Sequence, residues 1–386
     1  MASFSFGFQG QDIDDDDESL DQVEDQLKAE SEQGKIELQR AKSLDLESML
    51  SNLPSQIAYN MLSLTDPTPT TTTTTQKRIL IPRRELFDIR AQLMAEEDMT
   101  LNVNEDLISG LERGDLTPSV YEGGFKTWEC ATDLAYLLST QYPSFSESAE
   151  GEEIRVIELG AGTAVPSLAL FRLLLLCEDS RKRKVRLIFA DYNDVVLSLV
   201  TLPNILLTFY TTCIKHDEAE GIKDKQDDSH LDIDRSLIDK FKQTILSRGI
   251  TLSFISGAWS PQFVDLCLSR PEEPRPDGAD DHARLPQKTL ILASETIYSP
   301  HSLRPFSETL VSLLRRSWRS GVNQDRDAAE AYIAAKKVYF GVGGGVEEFL
   351  STLKDVVGDH DDVVVNQKLN VESQGVGRTV LSIARK

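Results

Sequence analysis

The sequence predicts an α/β fold: a doubly wound sheet of about seven strands behind an acidic N-terminal extension. Three observations predict it. Short apolar runs alternate with helical segments from residue 154 onward. Each of the first four runs ends in glycine or polar residues, the edge at which such sheets bind ligands. The chain closes on two consecutive strand-like runs, 362–369 and 376–384, which make an antiparallel edge.

The extension comes first in the chain. The 386 residues carry a net charge of −22, and residues 1–50 hold 14 Asp/Glu against 4 Lys/Arg, a net of −10. Asp12–Glu18 is almost wholly acidic and Pro67–Thr75 is a threonine tract. Neither buries enough apolar surface to offset the entropy of ordering, so 1–76 is expected to be mostly disordered, with one helical patch around Ser43–Leu62. The acidic run reads either as a solubilising tail or as a docking arm for a basic protein. Ser3-Phe-Ser-Phe-Gly-Phe8 carries three phenylalanines and suggests a short strand or a peptide dock. Residues 77–119 form a packing segment, with a strand at Ile79–Pro82 and a helix at Glu85–Glu96.

The main domain, 120–386, opens on the glycine turn Tyr121–Phe125 and a helix over Lys126–Tyr142. Trp128, Ala131, Ala135 and Leu138 recur there at helical spacing, so Trp128 and Glu129 are either core or ligand neighbours. Strand one, Ile154–Leu159, runs into Glu158-Leu-Gly160-Ala-Gly162 and then the apolar helix Val165–Leu176. Glycines at that junction let a ligand lie against bare backbone. A dinucleotide site needs a further glycine where Val165 stands. An acid two residues before the first glycine instead suits a cationic adenosyl ligand, although a lone G-x-G also fits an ordinary tight turn.

Strand two, Val185–Ala190, ends in Asp191-Tyr192-Asn193. Asp191 either takes both ribose hydroxyls or caps the next helix, Asp194–Tyr210, which Pro203 is expected to kink or split. A charged insert near 214–234 and the helix Arg235–Arg248 lead to strand three, Ile250–Ile255. It ends in Ser256-Gly257-Ala258-Trp259, where Trp259 stacks on an adenine or plugs the sheet. After a second insert near 270–288, strand four, Thr289–Ala293, ends in Ser294-Glu295-Thr-Ile-Tyr298. The helix His301–Trp318, a charged linker and a fifth strand at Lys337–Gly341 follow. The glycine stretch Gly341–Gly345 is a substrate wall or a plain turn, and the helix Val346–Val357 precedes the closing strand pair.

Composition narrows the function. The four cysteines are far apart and the five histidines show no ligand spacing, so neither a disulfide framework nor a metal site is expected. A reducing cytoplasmic and nuclear location fits. The negative charge disfavours direct nucleic-acid binding and favours a basic protein partner. No run approaches the ~18–20 apolar residues of a membrane span, and the start has no signal-peptide pattern, so no membrane association is expected. A monomer is expected.

Glu158-Leu-Gly160-Ala-Gly162 together with Asp191 resembles the seven-strand, Rossmann-like S-adenosylmethionine-dependent methyltransferases. Within them, Lys126-Thr-Trp-Glu-Cys-Ala131, Asp191-Tyr-Asn193, Thr201-Leu-Pro-Asn204, Ser256-Gly-Ala-Trp259, Ser294-Glu-Thr-Ile-Tyr298 and Tyr339-Phe-Gly-Val-Gly-Gly-Gly345 are similar to the protein-histidine N-methyltransferases. The Ser3–Phe8 start matches that subgroup too. The resemblance implies methylation of a histidine in a large-subunit ribosomal protein. It also implies cofactor contacts from Trp128, Glu129, Cys130, Ala131, Glu158, Gly160, Gly162, Asp191, Tyr192, Asn193, Gly257, Ala258, Trp259 and Ser294. Ala164 stands where many relatives have a third glycine, and the two long inserts leave room for a different substrate rim.

The chemistry itself asks little of a base. An imidazole of pKa ~6.5 is mostly neutral at pH 7 and has a free lone pair. What helps is an acceptor for the N–H of the other ring nitrogen, which fixes the tautomer. Glu295 and Tyr298 are the catalytic candidates for that role, or else they cap and pack the next helix. A lysine methyltransferase of the same fold and a non-catalytic binding module for a basic ribosomal protein remain as alternative functions.

Overall fold

The computed structural model describes residues 39–68, 79–97, 123–141, 153–177, 184–215, 229–269, 287–319, 329–341, 343–372 and 375–386. The expectations for Ser3–Phe8, Asp12–Glu18, most of the threonine tract and most of the two inserts fall outside these residues.

The central sheet holds five parallel strands: β4 (Glu153–Leu159), β5 (Lys184–Asp191), β7 (Ile250–Ser256), β8 (Gln287–Ser294) and β9 (Ala329–Lys336). With β1 (Lys42–Leu44), β10 (Val363–Val371) and β11 (Arg378–Arg385), the order is β1-β7-β5-β4-β8-β9-β11-β10. β1 and the closing pair run antiparallel to their neighbours. The sheet therefore has the expected seven strands in number, six of them where expected, and an eighth, β1, extends one edge.

Side chains of the parallel strands alternate between two cores, because a strand with both faces covered reads as one continuous apolar run. Val156, Leu187, Phe189, Phe254 and Leu292 face one core. It is covered by α3 (Glu129–Gln141), α4 (Val165–Leu176), α5 (Asp194–Ile214) and α6 (Arg235–Ser247). Ile157, Ile188, Ile255, Ile291 and Ile333 face the other, under α7 (Pro261–Leu268), α8 (Pro300–Arg319) and α9 (Val346–Val357).

Four corrections follow. The expected disorder of 1–76 fails over Lys42–Leu64, which folds as β1, α1 (Leu46–Ser51, capped by Asp45) and β2 (Gln56–Leu64) in place of one helical patch. β2 pairs with β3 (Ile79–Arg84) and with β6 (Ser229–Asp232), the latter inside the expected loop insert, in a separate antiparallel sheet. α2 (Leu86–Glu97) follows β3 as expected.

Strand five is Ala329–Lys336, not Lys337–Gly341. Ala-Glu-Ala-Tyr-Ile-Ala-Ala-Lys carries poor strand formers, but pairing to β8 and β11 on both sides overrides that preference. Finally, α5 is 21 residues long and apolar enough to cross a bilayer, which the sequence reading excluded. Here it is a core helix, with Leu197, Leu202, Ile205, Leu206 and Leu207 buried.

Of the expected kink or split at Pro203, the split does not occur: α5 runs on through it. A π-helical turn at Leu197–Thr201 comes just before it. Such a turn widens the coil where a proline ring would meet the preceding carbonyls. The carbonyl of Leu199 lies in that turn, four residues before Pro203. It accepts from Arg84 Nη1 at 2.9 Å, and the Arg84 backbone N–H donates to Asn204 Oδ1 at 2.7 Å. The small sheet is thus bolted to α5.

Candidate active site at the carboxyl edge of the sheet

The glycine loop after β4 is held from above and below. Gly160 and Gly162 sit at φ 66° and 49°, the left-handed region that favours glycine. A Cβ on Gly160 would fall 2.8 Å from Thr296 Cγ2, so the loop passes close to the residues after β8. On the other side, Thr201 donates to Gly162 O at 2.7 Å and Asn204 Nδ2 to Thr163 O at 3.1 Å. These two side chains share one face of α5, which explains the Thr201-Leu-Pro-Asn204 pattern: it anchors the loop.

Glu158 corrects an expectation. It is fully buried and makes no surface for a ligand; its Oε2 accepts from Ser167 N at 3.0 Å, tying the end of β4 to the first turn of α4. Burial raises its pKa from the usual 4.5 to about 8, with Asp191 adding to the rise and the Ser167 contact opposing it.

Asp191 is also turned inward. Its Oδ2 accepts from Gly162 N at 2.9 Å and its Oδ1 from Asn193 N at 3.1 Å. This carboxylate couples the glycine loop to the turn after β5. Tyr192 is half-buried beside it.

The turn after β7 departs further. Gly257 is buried and its N–H donates to Asp191 O and Tyr192 O at 3.1 and 3.2 Å, while Ala258 N donates to Gln39 O at 2.9 Å. The backbone N–H groups of Gly257 and Ala258, residues expected to contact the cofactor, are therefore engaged within the chain. Trp259 sets its edges against Phe263 (5.0 Å between centroids) and Phe306 (5.8 Å), the plug reading.

A second cluster forms where α3 begins. Glu295, at φ 56°, accepts from Cys130 N at 3.3 Å through Oε1 and from the Tyr339 hydroxyl at 2.5 Å through Oε2. Its carboxylate thus caps the positive end of α3. Burial, then the nearby Glu295 charge, pushes the Cys130 thiol well above its ordinary range, so Cys130 is inert packing rather than a nucleophile. Lys336 Nζ pairs with Glu129 at 3.0 Å and lies 5.4 Å from the Trp128 ring centroid, and Trp128 Nε1 donates to Gly123 O. Ala131 N closes the first turn onto Trp128 O. Arg378, bonded to Asp133, pins α3 across β11.

Tyr298 meets Tyr339 edge-on at 6.3 Å. Ser294, half-buried, ends β8 opposite Ala334. The structure therefore brings together Trp128–Ala131, Ser294–Tyr298 and the loop after β9. It places Gly160–Gly162 one strand away, after β4, and Asp191–Asn193 two strands away, after β5. Tyr339, Lys336 and Thr296 belong to this site but were not singled out as functional; the phenol beside the glycine stretch was the available signal for Tyr339.

No family model matches the chain. Histidine protein methyltransferase 1 of Saccharomyces cerevisiae is 34% identical over 314 residues, 78% of this chain and 75% of that protein. The chain belongs to the histidine protein methyltransferase 1 family. The Schizosaccharomyces pombe protein of the same name is 32% identical over 87% of this chain and 83% of its own length. A class I S-adenosylmethionine-dependent methyltransferase structure from Listeria monocytogenes aligns at 10% identity and TM-score 0.33, over 78% of this chain and 68% of its own. For this methyltransferase the fold rests on the strand order above, not on that alignment.

The cofactor of the enzyme is S-adenosylmethionine, and the edge of the sheet fits it. Among the described residues, buried polar atoms without a hydrogen-bond partner include Asn193 Nδ2, Ser256 Oγ and Thr296 Oγ1. They lie at the carboxyl ends of β5, β7 and β8 respectively. Buried groups of this kind are costly unless something completes them. A nucleoside and an amino-acid tail bring the hydroxyls, ring nitrogens and ammonium that would.

Proposed function

We propose that this histidine methyltransferase acts on a histidine of a basic large-subunit ribosomal protein. One observation carries the placement of the chemistry. Glu295, the candidate acceptor for an imidazole N–H, is the immediate neighbour of Thr296, the residue that walls the Gly160 cradle. Acceptor and cofactor loop are thereby fixed against each other. The choice of a basic substrate is supported by the net charge of −22, which attracts cationic proteins and repels nucleic acid.

When bound, the cofactor supplies an electrophilic methyl group on a sulfonium. The chain supplies orientation. Each Glu295 oxygen already accepts one N–H or O–H and retains lone pairs for one more donor. Accepting the N–H of one imidazole nitrogen there leaves the lone pair of the other on the reacting side. Tyr339 and the α3 terminus hold the carboxylate still, which is how geometry lowers the barrier of an in-line displacement.

The test is transfer of labelled methyl to ribosomal proteins from cells that lack the enzyme, followed by acid hydrolysis and identification of the labelled amino acid. Methylhistidine in one large-subunit protein supports the reading. Methylhistidine only in other proteins overturns the ribosomal substrate, and labelled methyllysine overturns the imidazole chemistry.

A further inference from the structure

The stretch just before β1 touches two of the turns that face the cofactor. Gly257 stands at φ 122°, and a Cβ there would lie 2.6 Å from Ala41 Cα and 2.8 Å from Ala41 N and Arg40 O. Backbone therefore lies flat on backbone, and only glycine fits. Gln39 O takes the Ala258 N–H at 2.9 Å, and Lys42 stands opposite Ser256 in the antiparallel register.

The same stretch also reaches the turn after β5, where Lys42 Nζ meets Asp194 Oδ2 at 2.7 Å. Arg40 Nε donates to Gln262 Oε1 at 3.1 Å, beyond the second turn. Behind it, Ala41 is 4% exposed, and Met49 and Leu50 of α1 are sunk in the main core. Between the two turns, the Gly257 N–H bonds Asp191 O and Tyr192 O, and the unpartnered Asn193 Nδ2 and Ser256 Oγ lie in this same region.

We propose that Gln39–Lys42 is a clasp that sets the spacing of the Asp191–Asn193 and Gly257–Trp259 turns, and through them the affinity for the nucleoside half of S-adenosylmethionine. Without the clasp β7 is an edge strand, and the turn after it loses the backbone that covers Gly257. Ala41 and Lys42 are then positioning residues that act through Asp191 and Asn193. The inference rests on the cofactor assigned above.

The test uses the full chain and S-adenosylhomocysteine as the probe, with the dissociation constant read by calorimetry well below each protein's melting temperature. Ala41→Leu overfills the buried Ala41 site and shifts the backbone that lies on Gly257, and the clasp requires about tenfold weaker binding by the folded variant. Glu47→Ala, which breaks only the exposed pair of α1 with Lys242, should leave the affinity unchanged. Folded Ala41→Leu that binds within about twofold of the unsubstituted chain overturns the clasp. If Ala41→Leu does not fold, Lys42→Glu decides: it reverses the exposed pair with Asp194, and unchanged affinity overturns the clasp. Failure of the unsubstituted chain to bind the probe overturns the cofactor assignment and the clasp together, whereas binding that is insensitive to both substitutions overturns the clasp alone.

Discussion

The Tyr339 hydroxyl donates to Glu295 Oε2 at 2.5 Å, joining the loop after β9 to the residue that follows β8. Burial, then the Glu295 charge, raises the phenol's pKa, so it stays a donor at every working pH. Tyr339→Phe keeps the ring against Tyr298 but leaves Glu295 without its shortest partner. A hydrogen bond to a charged group is worth ~1.5–3 kcal/mol, so kcat should fall by about 10- to 100-fold if the bond matters fully in the transition state. The KM for S-adenosylmethionine should change little. Steady-state kinetics with each substrate varied will show whether the loss is in kcat.

Gly160→Ala tests the cradle. The substitution places a side chain at φ 66° and a methyl 2.8 Å from Thr296 Cγ2. Left-handed strain costs ~1–3 kcal/mol, and cofactor binding should weaken by more than tenfold. Adding Thr296→Ser removes the clash but not the strain, so the double variant should recover only part of the affinity. Full recovery would mean that contact with Thr296, not backbone conformation, sets the cost.

Glu158 makes stability depend on pH in an unusual direction. Burial lifts its pKa from 4.5 to about 8, so the folded chain holds a proton that the unfolded chain releases. The stability it contributes is full below about pH 4.5 and is lost as pH rises through about 8. Glu158→Gln is neutral throughout. Its melting temperature should therefore gain on that of the unsubstituted enzyme as pH rises across this window, and parallel melting curves would show that the carboxyl titrates normally.

The substrate's own ionisation sets the activity profile. A histidine is reactive when neutral, so kcat/KM should rise through about pH 6.5 and then level off. A lysine would keep rising toward its pKa of ~10.4. Initial rates from pH 5.5 to 9.5 on one protein substrate separate the two.

The sequence by itself determined the parallel core and the location of the site. Continuous apolar runs such as Val156–Ile157 and Leu187–Ala190 are legible because strands buried on both faces carry no alternation to misread. The glycines at 160 and 162 and the polar residues at 191–193 and 294–298 follow directly from the strand ends. Local pattern failed where distant partners decide. Ala329–Lys336 is a strand because β8 and β11 flank it, and Lys42–Leu44 is a strand because β7 offers an open edge.

The direction in which a side chain points was also beyond the sequence. Glu158 and Asp191 both read as ligand groups, yet one is sealed in the core and the other is bonded to two backbone amides. Only the tertiary structure decided this, because a carboxylate goes to whichever donors the fold leaves unsatisfied nearby, and those come from segments remote in sequence. Glu295 met Cys130 and Tyr339, 165 and 44 residues away, for the same reason.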